Sequence, residues 1–429
     1  MKTKIGWLTS LCLALLATPV GGAPDSLPSA NPSARVTRIS TRVFHAAVSN
    51  EEIWPGPEGY PWADAGIRLW TREALLRRVG SNELLCTWTT GGFAEPAPGN
   101  FTMISRSTDG GKTWSRAGQF AHPTRGLFTT ELFSPREGEV HAFLQTYGFG
   151  VWMTQLQSYR AVSRDGGQTW SGPHSIPGGI QNVWAGRGVM HSSGRWIIPV
   201  NWAELMGDEW AEPSVGRAPA PGQVGTRPLK QVELPSGADS DLQYKTGNAW
   251  ADRNHRYVCG AMLSDDGGET FRLRGYIRGG AHGWLIEPRV VELSNGRIAM
   301  LIRSQRDGWL WRSDSADQGE TWSAAVKTDI PNPAAKVCLL RARDGRIFLL
   351  HNPSMHQGEV MGGRNPLSLW VSRDDMKTWD VKVDLVKDAA KNASLNYPDG
   401  FLDEEKHELV FVWEDTKSVF LMRAPMDIH

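Results

Sequence analysis

The stretch "GGAHGWLIEP" sets His282 five residues before Glu287, an imidazole and a carboxylate close together in one segment. Groups of these two types pass protons, so His282 is a candidate general base, its ordinary reading being a local hydrogen bond. Glu287 is followed by Pro288 at the opening of an apolar run, which suits an acid pointing inward from the end of a strand. His191, His351 and His356 stand in other loops or strand ends. The cysteines offer less chemistry. Cys86, Cys259 and Cys338 each lie in an apolar, strand-like context, and no Cys-x-x-Cys spacing occurs. Buried thiols are expected, with neither a zinc site on cysteine nor a disulfide framework. No metal-ligand constellation is apparent, and no cofactor is expected. The formal net charge is zero, which gives a polyanion such as nucleic acid nothing to bind.

Whatever these groups do, a repeated element must position them. Residues 105–114 read "SRSTDGGKTW" and residues 161–170 read "AVSRDGGQTW", a shared Ser-x-Asp-x-Gly-x-Thr-Trp turn. Three more copies follow: "LSDDGGETF" with Phe271 for the Trp, "SADQGETW", and "SRDDMKTW" with Met376 in place of the glycine. The leading serines are Ser107, Ser163, Ser264, Ser315 and Ser372, a period of roughly 50–57 residues with one double gap. Between the copies lie short β-branched and aromatic runs such as "GRWIIPVNW", "GRIAMLIRS" and "HELVFVWED", several introduced by a Gly turn. No long amphipathic helix is legible. About four short strands per repeat describes a β-propeller, with six blades expected near 68–114, 128–170, 182–271, 283–322, 336–379 and 393–425. In each turn the Asp and Ser suit bonds to turn amides, the glycines permit positive φ, and the Trp covers the blade. That is structural work. The chain holds 20 Trp; Trp88, Trp202, Trp284, Trp309 and Trp413 fall in strands or near loop openings, where core packing is the default and sugar stacking the alternative.

The domain organisation follows. Residues 1–23 pair Lys2 and Lys4 with an apolar run ending in small residues, which reads as a secretory signal peptide too short to span a membrane. The mature protein is then secreted or periplasmic. Residues 24–35 read as a flexible tether, and 36–429 as one propeller domain acting as a monomer. The run at 35–48 is expected to pair with the last blade and close the ring. Residues 207–250, rich in Pro and Gly, read as a surface loop inserted in the third blade and placed to cover the channel.

The copied turn resembles the Asp box, or bacterial neuraminidase repeat, of the sialidase superfamily, and the resemblance covers about 60–425. It implies an all-β, six-bladed β-propeller, and a glycosidase that releases terminal sialic or related acidic sugars from glycoconjugates. The family clamps the substrate carboxylate with three arginines and uses a Tyr nucleophile with a Glu partner and an Asp acid/base. Sialic acid carries a carboxylate on the reacting carbon, so a neutral phenol avoids a repulsion that a second carboxylate would meet.

Residue by residue, "EPRVVELSNGRIAMLIRS" is similar to the segment carrying the Glu and the second arginine, which implies Glu287 and Arg303. The segment before the fifth box implies Arg364 as the third arginine, and "ASLNYPDGFLDEEKHELVFVWED" implies Tyr397 as nucleophile. The first blade departs from the pattern. Where the family opens with Arg-Ile-Pro, this chain has "GIRLWTREALLRR"; alignment on "ALL" puts Thr71 at the arginine, leaving Arg72 or Arg68 to supply the charge. The acid/base Asp has no counterpart, and Glu95 and Asp64 are the candidates. A reading from a different class is a non-catalytic carbohydrate-binding propeller, or one acting on another acidic glycan through a His base.

Overall fold

The computed structural model describes residues 42–54, 71–91, 100–115, 118–122, 125–147, 156–205, 212–216, 255–280, 284–354, 363–390 and 393–428. Their strands form six antiparallel sheets of four to six strands, the six blades of a β-propeller. Among these residues no helix is long and apolar enough to cross a membrane. The expected signal peptide and tether, at 1–23 and 24–35, lie outside the described residues.

In blade one the inner strand Arg72–Arg78 is followed by Leu84–Thr90, Phe101–Ser107 and the outer strand Gly118–Phe120. The other blades repeat this order, with inner strands Gly126–Arg136, Trp184–Ala185, Leu285–Glu292, Cys338–Arg341 and Asn396–Asp403. The bounds expected from the sequence end at each box, one strand too early. The outer strand comes after the box, as in Ser171–Ser175 and Val326–Pro331, and its side chains are mostly exposed, so no apolar alternation marks it.

Ring closure also differs from expectation. The strand that completes blade six is Ser49–Trp54, paired with Val419–Pro425, whereas Val43 and Phe44 of the expected closing run pair with the outer strand of blade five. Blade six has no box and no outer strand of its own, so its open edge is capped by a strand from the other end of the chain. Within the expected loop 207–250, Pro213–Val215 is a strand on the outer edge of blade three; the rest of that segment, apart from 212 and 216, lies outside the described residues.

The core lies in six seams between blades rather than in one centre, with a further cluster around Tyr147, Trp184 and Trp284 running over blades two to four. Each seam joins consecutive blades: Leu75, Leu85 and Leu144 between one and two; Phe143, Trp202 and Leu273 between two and three; Cys259, Leu285 and Ile302 between three and four. Leu301 meets Leu349 between four and five, Phe348 meets Phe411 between five and six, and Trp88 meets Val412 to close six on one. Cys86, Cys259 and Cys338 are buried free thiols in these seams.

The boxes stand at the opposite end of the channel from the first residues of the inner strands, since Ser107 pairs with Leu84 and Arg78 with Leu84 in turn. In the second box the Ser163 hydroxyl accepts the Gly167 N–H at 2.7 Å, and Asp165 accepts the Thr169 N–H at 2.9 Å and its hydroxyl at 2.5 Å. The box is thus a self-satisfied turn. Gly167 has φ +84°, and a Cβ there would come within 2.8 Å of Leu85 in the neighbouring blade. In the fifth box Met376 holds the same backbone at φ +64°, its side chain filling the seam between blades four and five.

Gly167→Ala should therefore cost about 2–4 kcal/mol, from left-handed strain plus overpacking. Gly194→Ala, at φ +89° with no atom within 4 Å of the new Cβ, should cost only the strain, about 1–2 kcal/mol. Urea denaturation of the two variants measures the difference; equal losses would remove the packing role of the box glycine.

Candidate active site

The opening residues of the inner strands share one irregularity. Register shifts fall between Arg72 and Leu75, between Ile286 and Arg289, and between Asn396 and Asp399. Inside these bulges Glu73, Glu287 and Tyr397 adopt left-handed backbone, with φ of 57°, 51° and 47°. Each is followed by Ala74, Pro288 or Pro398. Bulges re-aim side chains, and left-handed non-glycine residues are strained positions that the surrounding structure must hold. Here the hold is visible: Asn201 of blade three accepts the Glu287 N–H at 2.8 Å, and Glu414 accepts the Ala74 N–H at 3.3 Å.

Arg303, on the second strand of blade four, links two of these groups. One of its nitrogens, Nη1, donates to Glu287 Oε2 at 2.6 Å and to the Tyr397 hydroxyl at 3.4 Å, while Nη2 donates to Gln305 at 2.7 Å. The guanidinium of Arg364 lies 4.6 Å from the Tyr397 ring centroid, held by Asn396 Oδ1 and the Ala334 carbonyl, each at 2.9 Å. Lys336 Nζ is 4.9 Å from the same ring and 2.5 Å from Glu73 Oε2. All these side chains are buried. Burial opposes the ionisation of Glu287, but the charges of Arg303, Lys336 and Arg289 outweigh it and hold the carboxyl below its ordinary range. Burial likewise opposes the Arg303 charge, and Glu287 and Tyr397 reverse that, so the guanidinium stays protonated. Donors remain for a ligand: among the described residues Arg303 Nε, Gln305 Nε2 and Asn201 Nδ2 are buried without a partner.

A second tier of buried charge lies further along the inner strands. Arg77 of blade one donates to Asp399 of blade six and, at 2.8 Å, to Glu131 of blade two. Arg187 of blade three donates to Asp399 at 2.9 Å. Burial raises the Asp399 pKa, and Arg77, Arg187 and the Leu76 N–H more than offset it, leaving the carboxyl depressed.

Of the residues singled out from the sequence, Glu287, Arg303, Arg364 and Tyr397 meet in one cluster. Arg72 stands at the same end of blade one, 3.7 Å from Glu414 of blade six, which pairs in register with Asn396 beside Tyr397. The shared bulge aligns Arg72 with Ile286 and Asn396, because the inserted residue lies after it in all three strands. Arg68, Asp64, Glu95, His282 and His356 lie outside the described residues. His191 stands near the box end, within reach of Ser193 and Gly296, and His351 is wholly buried, which lowers its pKa to about 3 and keeps it neutral. Trp88, Trp202 and Trp413 are fully buried packing residues. Glu73 and Lys336 were missed. The available signal was Glu73-Ala74 preceding an apolar run as Glu287-Pro288 does, and a lysine just before "VCLL". Among the described residues no group of three or more His, Cys, Asp or Glu converges as metal ligands would.

The model of the BNR repeat-like domain family matches residues 82–220 and 238–408. A sialidase of Micromonospora viridifaciens is 25% identical over 317 residues, 68% of this chain and 42% of that protein. A sialidase of Bacteroides fragilis is 24% identical over 327 residues, 67% of this chain and 50% of that protein. The chain thus spans about half the length of these curated relatives. Among solved structures, the Hadza microbial sialidase Hz136 superposes with a TM-score of 0.62 at 15% identity, over 83% of this chain and 66% of that one, a likeness of fold.

The depressed carboxyls of Glu287 and Asp399 tie stability to pH. A carboxyl whose folded pKa is lowered contributes stability that is complete above its unfolded value, about 4.3 for Glu and 3.9 for Asp, and lost as pH falls through the folded value. Urea midpoints should therefore fall with these groups only below about pH 4.5. Asp399→Asn should be less stable than the parent at pH 7 and lose less on acidification; parallel acid profiles for the two proteins would contradict this.

Proposed function

This chain belongs to the BNR repeat-like domain family of the sialidase superfamily, and from that premise we propose that it is an exo-acting glycoside hydrolase of terminal acidic sugars, an exo-α-sialidase in the first instance. The observation that carries the reading is the single cluster of Glu287, Arg303, Tyr397 and Arg364. In this proposal residues 1–23 export the protein, and 36–429 act as one monomeric catalytic domain.

The substrate carboxylate pairs with Arg303 and Arg364, and with Arg72 from blade one. Planar guanidinium groups suit a carboxylate because two parallel N–H groups meet two oxygens. The incoming charge competes for Arg303 and loosens its hold on Glu287, which becomes a better base at the moment a base is required. Glu287 then takes the phenolic proton as the Tyr397 oxygen bonds to the anomeric carbon. The glycosidic bond breaks, and the leaving oxygen takes a proton from an acid for which Glu95 and Asp64 are the candidates. In the second half water gives a proton to that same group, now ionised, and attacks the same carbon; the Tyr397 oxygen departs and recovers its proton from Glu287, and two inversions give retention.

Hydrolysis of a fluorogenic sialoside tests the proposal. Wild-type turnover is expected, with Tyr397→Phe reduced about 10³-fold or more and forming no covalent glycosyl-enzyme. Arg303→Ala is expected to lose about 10²-fold in kcat/KM, because it removes the substrate contact and strands Glu287. Saturable binding of the sugar by a folded protein without turnover would instead establish a carbohydrate-binding propeller. Normal turnover by Tyr397→Phe would eliminate the nucleophile assignment.

A further inference from the structure

The Glu73–Lys336 pair has no part in the reaction as written, yet its place is specific. Lys336 leads into the inner strand of blade five, Cys338–Arg341, and Glu73 stands on the inner strand of blade one. Their 2.5 Å contact therefore reaches past blade six, whose bulge carries Tyr397. Side-chain exposure is 1% for Lys336 and 2% for Glu73, so both charges have left water. Desolvating two ions costs about as much as their attraction returns, and a well-packed apolar pair is often as stable. Stability alone is a poor account of it.

The surroundings supply a better one. The ammonium is 4.9 Å from the Tyr397 ring centroid, and the Arg364 guanidinium lies 4.6 Å from the same centroid. A cation beside an aromatic ring is favourable, and more so as the ring gains electron density on its way to phenolate. The Lys336 charge also acts on Glu287. Arg303 faces Glu287 from the second strand of blade four, Arg289 from its own strand and Lys336 from blade five, while Tyr397 of blade six meets the same Arg303 nitrogen that holds Glu287. Lys336 in turn faces Glu73, Arg289 and Glu287.

We infer that Lys336, anchored by Glu73, is a positioning residue for the Tyr397 centre, its charge stabilising both the Glu287 carboxylate and the negative charge that develops on the Tyr397 oxygen. The inference rests on the Tyr397 and Glu287 roles proposed above. In the first half-reaction the phenolic proton passes to Glu287 while the oxygen bonds to the anomeric carbon, and the leaving oxygen departs with the glycosidic electron pair and takes a proton from the separate acid. In the second, water gives a proton to the acid that protonated the leaving group and bonds to that carbon, the electron pair of the broken bond returns to the Tyr397 oxygen, and Glu287 gives the phenolic proton back. Lys336 neither gives nor takes a proton; it lowers the energy of the phenolate-like oxygen in both halves.

The test is the pH dependence of kcat and kcat/KM for sialoside hydrolysis by the full chain, as wild type, Tyr397→Phe, Lys336→Arg and the double variant Lys336→Met/Glu73→Gln. Both charges are removed together because deleting one would strand the other. In the double variant the acid limb of kcat/KM is expected to move up by about one pH unit, since Glu287 loses a cation that favours its ionised form. Its kcat at the optimum is expected to fall about tenfold or more. Lys336→Arg keeps the charge and should hold the acid limb at the wild-type position. An unmoved acid limb in the double variant, with kcat within about twofold of wild type, overturns the inference. So does a limb displaced in Lys336→Arg, the deciding variant should the double variant fail to fold. Absent wild-type turnover, or full turnover by Tyr397→Phe, overturns the underlying reaction instead, and is distinct from failure of the pair in an active, Tyr397-dependent enzyme.

Discussion

Charge brought to the axis of a propeller has to be paired there. Six inner strands converge, and the residues they carry leave bulk water together, so a lone ion would face a desolvation cost that the fold could not carry. The observed solution is a set of contacts between blades. Lys336 reaches from blade five to Glu73 of blade one, Arg77 joins blade one to blades two and six, and Arg187 joins blade three to blade six. None of these pairs exists within a single blade. Closing the ring and pairing these charges are therefore one event, whereas Arg303 and Glu287 pair within blade four.

Away from the axis the molecule relies on shape. Each seam buries apolar side chains from two neighbouring blades, and the boxes settle the turns at the far end of the channel with their own hydrogen bonds. This separation leaves the other end to the charged groups. The box can be copied with little change because its requirements are local, a Ser, an Asp, a tight backbone and an aromatic cover. Met376 shows the tolerance of that design: the left-handed backbone persists without glycine, and the side chain becomes packing for the adjacent seam.

At the other end repetition concerns backbone alone. The same bulge opens blades one, four and six, and each holds a different group, a carboxylate at Glu73, another at Glu287 and a phenol at Tyr397. A conformation made common by the repeat thus presents unlike side chains to one small volume. Arg303 gathers two of them with a single nitrogen, and the Tyr397 ring lies between the influence of Arg364 and Lys336. Such an arrangement is already oriented, which in the proposed reaction would spare the reorganisation that stabilising a moving charge otherwise costs.

Much of this was legible in the chain itself. The period of the boxes and the short apolar runs specify a six-bladed propeller, because turn chemistry and strand alternation are local properties written afresh in every repeat. Glu287, Arg303, Arg364 and Tyr397 are likewise visible through the segments around them. The outer strands were not, since exposed edges need no apolar pattern, and neither was the closing strand, which could pair with any open edge. The bulge that sets Arg72 level with Ile286 and Asn396 was not legible either, because an extra residue in one strand leaves no mark in the apolar pattern. Glu73 and Lys336 carried only a faint local signal, and nothing in either neighbourhood pairs two residues separated by most of the chain. Sequence alone determined the repeated unit and the chemical types available; only the tertiary structure decided which of them meet, because a buried ion pair across the axis depends on where six blades end up and on no property of either segment by itself.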